Sequence, residues 1–546
     1  MKTIVRARFL FFLSVALLPS IAAPQLLNPQ KLLEAPTDTW PTYNGDYSGR
    51  RYSSLQQINS ANIDSLALAW MFRIPSVGAL RGVGAPEIKS TPLMVNGVLY
   101  FTIPDHVYAV DAHTALELWH YDWQDRGGHL VGNRGVGIYG DWLYFMAPDG
   151  WFISLNAKTG KERWRKKVAD EKLQYFTTMA PMVVGNHILV GVGGDAMDVP
   201  GFLEARDPET GDTQWRWNSE PQAGEPEAET WPNEASRQHG GGMTWLPGTY
   251  DPELKLLYWG TGNPNPVYAG QGRTGTNLWT CSIVALNVDT GKLVWYFQAS
   301  PHDTHDWDNV ETPVLFDATV DGRPRKLLAQ AARNGYFFVL DRTNGKSVLS
   351  RPYVPLNWSK GVDAKGQPIP DPKKNPTPDG SLLTIPGGGG TNWLPPSFDP
   401  QTGLFYVNAT RGYSLTYLTD TDPRPEGYGG SGRGLWSQHL LEAINAATGE
   451  IAWRHPYPTV GGSGGLGGPG ILTTAGKLLF TGDYGGNFIA FNPSDGTPIW
   501  HFPVLHGVSN GPETYELDAR QYVVVGAGDT LFAFALLPGP SHISKF

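Results

Sequence analysis

One phrase recurs seven times along this chain: a short apolar strand, an Asp or Asn, a turn of the Thr-Gly type, and a Trp four residues beyond the Gly. It reads VYAVDAHTALELW (107–119), ISLNAKTGKERW (153–164), LEARDPETGDTQW (203–215) and IVALNVDTGKLVW (283–295). It continues as FFVLDRTNGKSVL (337–349), LEAINAATGEIAW (441–453) and FIAFNPSDGTPIW (488–500). The Gly position falls at Ala115, Gly160, Gly211, Gly291, Gly345, Gly449 and Gly496, so the shortest spacings are 45 and 47 residues. A unit of that length is about four short strands, and repeats of this size build propellers or solenoids. No helix-period segment separates the units, which favours a β-propeller.

The Thr-Gly pair is expected to turn the chain between the third and fourth strands of a unit, with Gly supplying backbone freedom. The Trp is placed to pack between neighbouring units as part of the core, its N–H free to find a carbonyl. Leu349 stands in one Trp position and keeps an apolar plug. A degenerate eighth unit is suggested by Ser65–Trp70 together with the last strands, 521–534, joining the two ends of the chain. The expected fold is therefore all-β, an eight-bladed β-propeller with tryptophan docking motifs.

The composition agrees with many strands joined by turns: 66 Gly and 45 Pro in 546 residues, with 12% aromatics. The first residues read MKTIVRARFLFFLSVALLPSIAAPQ, a basic start, an apolar run and small residues. That is the pattern of a secretory signal peptide cut after Ala22, which predicts export to the periplasm. The apolar run is short for a membrane span, so no stable membrane insertion is expected. Residues 23–546 are read as a single eight-bladed propeller domain. Losing Lys2, Arg6 and Arg8 takes the formal charge from −9 to −12. An acidic surface argues against nucleic acid and suits docking of a basic partner. Cys281 is the single cysteine, placed in an apolar strand, and no Cys-x-x-Cys-His is present to attach a haem.

The repeats spread apart at two places, from 211 to 291 and from 345 to 449, and extra length in a propeller goes into loops on one face. The first stretch holds GGGMTW (240–245) and WGTGNPNP (259–266), followed by SPHDTHDWDN (300–309) and ARNG (332–335). The second holds a Pro/Gly/Lys-rich rim (356–390), GTNWLPPSFDP (390–400) and a Tyr/Gly-rich loop (411–434). Asp303, Asp306 and Asp308 crowd three carboxylates into six residues, which repel unless a cation or proton sits between them. In an extended segment Asp306 and Asp308 point to one side, suiting a hard cation with one carboxylate free to act as base. The alternative is an Asp-rich turn bonding its own backbone. Asn263 offers an amide oxygen of the kind that supplements carboxylates around hard cations. Arg333 is placed to neutralise an oxyanion. The three glycines before Trp245 permit close backbone approach to a flat ligand, with the indole as stacking face; the alternative is a core Trp after a flexible loop.

Together these motifs resemble the PQQ (pyrroloquinoline quinone) dependent alcohol dehydrogenases, the methanol and ethanol dehydrogenase family. The resemblance runs from WPTYNGDYSGRRYSSL (40–55) to GAGDTLFAFALLP (526–538). It implies PQQ and one metal ion, calcium or a lanthanide, as cofactors. By motif, Asp306 matches the catalytic Asp, Asn263 the amide metal ligand, and Trp245 the Trp beneath the quinone. Arg333 matches the Arg at the quinone carbonyls, Arg134 and Thr178 groups that bind the cofactor's carboxylates, and Asn392 a further cofactor contact. The implied chemistry has the metal polarise the quinone carbonyl while Asp306 takes the alcohol proton as hydride moves to the quinone. Asp308 resembles the extra acidic ligand of lanthanide-using members.

The sequence departs from the family in four places. Gly128-His129 stands where a vicinal disulfide would lie, and His129 either covers the quinone or fills a loop. Ala196 aligns with the metal-ligand Glu, leaving Asp195 or Asp198 to substitute. Lys89 stands at an acidic position, with Glu87 two residues before it on the same strand face. The glycines of GGSGGLGGPG (461–470) replace a Trp on the other side of the site, implying a wider pocket. The expected partners are an alcohol and a separate soluble cytochrome c; oligomeric state is left open, a homodimer included. Two other readings are a PQQ-dependent sugar or polyol dehydrogenase and a non-catalytic propeller scaffold such as an outer-membrane assembly factor.

Overall fold

A computed structural model describes residues 32, 34–75, 86–123, 131–194, 198–320, 322–422, 426–461 and 469–537. The expected signal peptide, His129, Asp195 and most of the 461–470 glycine run lie outside the described residues.

The described chain is all-β, with one six-residue α-helix, Glu234–His239. Eight sheets of four or five strands follow in chain order, and a separate two-stranded hairpin joins Ser359–Val362 to Pro368–Pro370. Five sheets take their strands consecutively within 93–122, 137–167, 182–218, 249–298 and 314–352; the sixth spans 381–461. The seventh, within 472–503, gains Tyr52–Ser53 as a parallel edge strand, and the eighth is completed by Leu66–Arg73. That last pairing, antiparallel to Thr530–Leu536, joins the two ends of the described chain as the sequence implied.

Each repeat turn links the last two strands of its repeat in the same sheet, as between Trp151–Asn156 and Glu162–Lys167. Asn156 shows the local reason: its Oδ1 accepts the backbone N–H of Lys158 and Thr159 and the Thr159 hydroxyl, so the side chain itself draws the turn. The chain then passes through the left-handed region at Gly160, φ +67°. Ala115 adopts φ +61° at the equivalent point, with a β-carbon the others lack.

The repeat Trp residues reach from sheet to sheet. Trp70 Nε1 donates to Ala112 O, Trp119 to Ala157 O, Trp164 to Glu209 O and Trp215 to Val288 O. Trp295 donates to Arg342 O, Trp453 to Pro493 O and Trp500 to Leu66 O, in each case on the next sheet. The ring also lies on the next repeat's glycine: a Cβ at Gly291 would come within 2.4 Å of the Trp215 ring. Leu349 meets Gly449 in the same way. These indoles are less buried than a core position implies. Of the six repeat Trp residues only Trp295 is buried, because the turn they cover lies at the rim of the sheets. The dry interior is made instead by strands such as Val523, Val524 and Val525.

Candidate functional site

The first long insertion folds its glycine motif onto its asparagine motif. Gly242 N donates to Asn263 O at 2.8 Å, and Gly262 N to Met243 O at 2.8 Å. A Cβ on Gly241 would lie 2.3 Å from Asn263 O, and one on Gly240 would lie 2.5 Å from Pro200 Cα. Gly240 and Gly241 thus bring backbone close to backbone, and a Cβ on Gly242 would meet the Ser219 side chain at 2.6 Å. Their effect is to fix Asn263 beside Met243 and, two residues on, Trp245. Asn263 is fully buried, and its Oδ1 has no hydrogen-bond partner.

Asp306 and Asp308 meet on Arg333. Arg333 Nη2 lies 3.0 Å from Asp306 Oδ2, and Nη1 lies 3.1 Å from Asp308 Oδ2. The segment is irregular and not a strand, and Asp306 has φ +64°; a left-handed residue, not strand alternation, brings the two carboxylates together. Asp308 Oδ1 accepts the Asn263 backbone N–H at 2.7 Å. Burial pushes the Asp308 carboxyl up, opposed by Arg333 and the Asn263 N–H. Burial alone would lower Arg333, but Asp306, Asp308 and Glu311 outweigh it and hold the guanidinium above its usual value. Asp303 turns inward to its own segment, accepting from the N–H groups of His305 and Trp307. His302 and His305 are pushed down to about 4 by burial, so neither adds positive charge at neutral pH.

Arg134 sits between two indoles, its guanidinium carbon 4.6 Å from the ring centre of Trp245 and 4.6 Å from that of Trp393. Its Nη1 donates to Thr178 O at 3.3 Å, and burial pushes it down to about 10. Thr178 therefore meets Arg134 through its backbone carbonyl. Asn392 bonds locally, its Oδ1 to Trp393 N and its Nδ2 to Gly388 O. The loop carrying it is tied to Arg333, since Gly390 N donates to Arg333 O at 2.8 Å. Beyond Trp393 opens a cavity of about 630 Å³, whose walls include Glu87, Lys89, Asp483 and Tyr484. Lys89 and Glu87 pair at 3.3 Å, just before the first strand of their sheet and not on it.

Asp198 is held elsewhere: its Oδ2 accepts Gly427 N at 2.6 Å, and its Oδ1 lies 3.7 Å from His239 Nδ1. Among the described residues no group of three His, Cys, Asp or Glu side chains is arranged to hold a metal ion. The predicted convergence of a third acidic group is therefore not found there; Asp195, the other candidate, lies outside them. Cys281 is buried in a turn at φ +47°, immediately before the strand Ser282–Asn287 and not within it.

Three site neighbours carried no signal in the sequence. Tyr268 is buried within electrostatic reach of Asp306 and Arg333. Glu311 is buried with no hydrogen-bond partner for either oxygen, and desolvation pushes it up to about 8. Arg273 is fully buried, bonding Pro266 O, Val267 O, Asn277 Oδ1 and Asp303 O, and so joins the asparagine loop to the acidic segment.

The donors present suit the implied groups. Two carboxylates and an unpartnered buried amide oxygen form an all-oxygen set, appropriate to a hard cation. Arg134 and Arg333 each keep a buried Nε without a partner, on either side of Trp245 in the chain, and suit an anionic planar ligand.

A family model described as the glucose/ethanol/alcohol dehydrogenase β-propeller domain matches residues 40–381. Another, described as outer membrane protein assembly factor BamB, matches residues 437–539. The quinohemoprotein alcohol dehydrogenase of Comamonas testosteroni is 36% identical, covering 90% of this chain and 73% of that protein. Quinoprotein alcohol dehydrogenase PedH of Pseudomonas putida is 35% identical, covering 94% and 90%. Among solved structures, a europium-containing methanol dehydrogenase superposes with a TM-score of 0.79 at 30% identity, covering 93% of this chain and 99% of that one.

Proposed function

This chain belongs to the PQQ-dependent alcohol dehydrogenase family, and on that premise we propose that it oxidises an alcohol with PQQ and one metal ion and passes the electrons to a separate soluble cytochrome c. In this reading the eight sheets are the blades of one propeller spanning residues 23–546, with the Trp contacts docking blade on blade. The protein works in the periplasm after loss of residues 1–22.

The observation that carries the reading is the double grip of Arg333 on Asp306 and Asp308 beside the unpartnered Asn263 amide oxygen. When bound, PQQ supplies a two-electron oxidant whose reactive carbonyl the metal ion polarises. Asp306, Asp308 and Asn263 would hold the metal, with Asp195 as the remaining candidate. Trp245 would give the cofactor an aromatic face, and Arg134 and Arg333 would meet its negative edge. Thr178 and Asn392 would complete the rim and His129 would lie over the ring. Asp306, paired with the Arg333 guanidinium at 3.0 Å, takes the hydroxyl proton of the alcohol. Asp308 favours a trivalent ion, since it adds a second anionic oxygen donor.

The scaffold reading draws on the match at 437–539, but that stretch contains only two repeats and none of Asn263, Asp306 or Arg333. A dye-linked assay of the apo-protein decides between them. Turnover of an alcohol should require PQQ together with calcium or a lanthanide. Failure to bind PQQ under either metal condition would remove the enzyme reading.

A further inference from the structure

Residues 303–309 are all buried except Asp306, whose side chain keeps 18% of its surface open to solvent. Asp306 also stands at φ +64°, a conformation that costs an L-residue energy and persists where the surroundings impose it. Arg333 holds the tip of this side chain, but the backbone that aims it is held from behind. Asp303 Oδ2 accepts the backbone N–H of His305 at 3.3 Å and of Trp307 at 3.2 Å. One carboxylate oxygen thus binds the residues on either side of Asp306. Asp303 is itself buried, and its Oδ1 has no hydrogen-bond partner.

Asp303 is anchored in turn. Arg273 donates to Asp303 O, while its Nε bonds Pro266 O at 2.9 Å and its Nη2 bonds Val267 O at 3.1 Å, just after Asn263. Among the described residues no carboxylate bonds this guanidinium. Burial pushes it down to about 10, and Asp303 is the anion that most opposes the shift. The neighbours of Asp306 are fixed through their side chains as well. The His305 ring stacks on that of Trp307, 4.4 Å away and 15° from parallel, and its Nε2 donates to Lys374 O at 3.1 Å. The Trp307 ring packs on Trp358 at 5.0 Å.

We propose that Asp303 is the positioning residue of the base: by accepting from His305 and Trp307 it holds Asp306 in the left-handed conformation that turns its carboxylate onto Arg333, beside Asp308. The proposal rests on the PQQ reading, in which Asp306 takes the alcohol proton. Asp303 itself takes no proton and holds no metal. The competing role, a third carboxylate reaching the cation through Oδ1, would need the negative charge. Positioning needs only an oxygen that accepts the two N–H groups. The placement matters because proton transfer depends on a near-attack geometry, and a displacement of about 1 Å can cost about 10²-fold in rate.

The test compares Asp303→Asn with Asp303→Ala in the full chain, loaded with PQQ and calcium or a lanthanide, with a phenazine dye as acceptor. Both variants remove the anion facing Arg273, so both should unfold at lower urea than the unaltered protein. They should part in turnover. The amide oxygen of Asp303→Asn still accepts from His305 and Trp307, so kcat should stay within about five-fold. Asp303→Ala should lose about 10²-fold in kcat with KM for the alcohol within about three-fold, because the base is misplaced while substrate binding is not. Crystal structures of the two variants read the geometry without turnover. Asp306 should keep its positive φ and its contact with Arg333 in Asp303→Asn and lose both in Asp303→Ala. Retention of both in Asp303→Ala overturns the proposal. So does an equal loss of kcat in the two variants, which would assign the charge of Asp303 to the cation. If Asp303→Ala does not fold, Asp303→Asn decides: loss of its Asp306–Arg333 contact, or of its turnover, overturns the proposal. Absence of dye-linked turnover in the unaltered protein counts against the PQQ reading, while the variant structures still decide the role of Asp303.

Discussion

Asp308 is bound on both of its carboxylate oxygens: Arg333 Nη1 lies 3.1 Å from one, and the Asn263 backbone N–H donates to the other at 2.7 Å. The acidic residue that distinguishes this site therefore also holds the asparagine loop against the arginine. Asp308→Ala should act on two levels. It leaves a buried N–H unsatisfied and a buried guanidinium with one carboxylate, so a loss of about 2–4 kcal/mol is expected in urea unfolding. It should also abolish lanthanide-supported turnover more severely than calcium-supported turnover, since a trivalent ion loses more with an anionic ligand. Unchanged lanthanide-supported turnover would leave the metal assignment without support.

Asp306→Asn separates the base from the architecture. The amide can still occupy the space beside Arg333 but cannot accept the alcohol proton. Turnover should fall about 10²–10⁴-fold, while PQQ binding, read from its absorbance, stays close to that of the unaltered protein. Retained turnover would remove Asp306 from the mechanism.

The repeat was legible because its parts are local. An Asn or Asp that bonds the next N–H groups, and a Gly at positive φ, write their turn into adjacent residues. Asp306, Asp308, Asn263 and Arg333 were legible as motifs, but their meeting was not, because it depends on a left-handed aspartate and on glycines that press two loops together. Tyr268, Glu311 and Arg273 acquire their importance from burial, which no local spacing records. The degree of exposure of the Trp residues was likewise hidden: a Trp four residues past a turn reads alike whether its ring is sealed or lies at the rim.

Glu311 makes stability depend on pH. Desolvation raises its carboxyl from an ordinary 4.5 to about 8 in the folded protein. The folded state thus keeps a proton that the unfolded chain has already released, so this contribution is complete below about pH 4.5 and is lost as pH rises toward 8. Glu311→Gln, neutral at every pH, should differ little in stability from the unaltered protein near pH 4.5. It should gain roughly 1 kcal/mol per pH unit over that window. Urea midpoints of both proteins at pH 5 and pH 9 measure this, and parallel pH curves would show that Glu311 does not hold the proton.

The turn positions offer a paired test of the repeat. Ala115 sits at φ +61°, where a β-carbon costs about 1–2 kcal/mol, while Gly160 occupies φ +67° at the equivalent point of the next repeat. Ala115→Gly should therefore stabilise the protein by about 0.5–1 kcal/mol, the relief of strain being offset in part by added freedom in the unfolded chain. Gly160→Ala should do the reverse and more, since its Cβ would come within 2.6 Å of the Trp119 ring as well as meeting the unfavourable φ. A loss of about 2–3 kcal/mol is expected from the two effects together. Adding Trp119→Ala to Gly160→Ala separates them: loss of the ring frees space for the Cβ, and the double variant should lose less than the sum of the single changes. Strict additivity would mean that the indole does not rest on this turn, and the sheet-to-sheet role of the repeat would fail at that position.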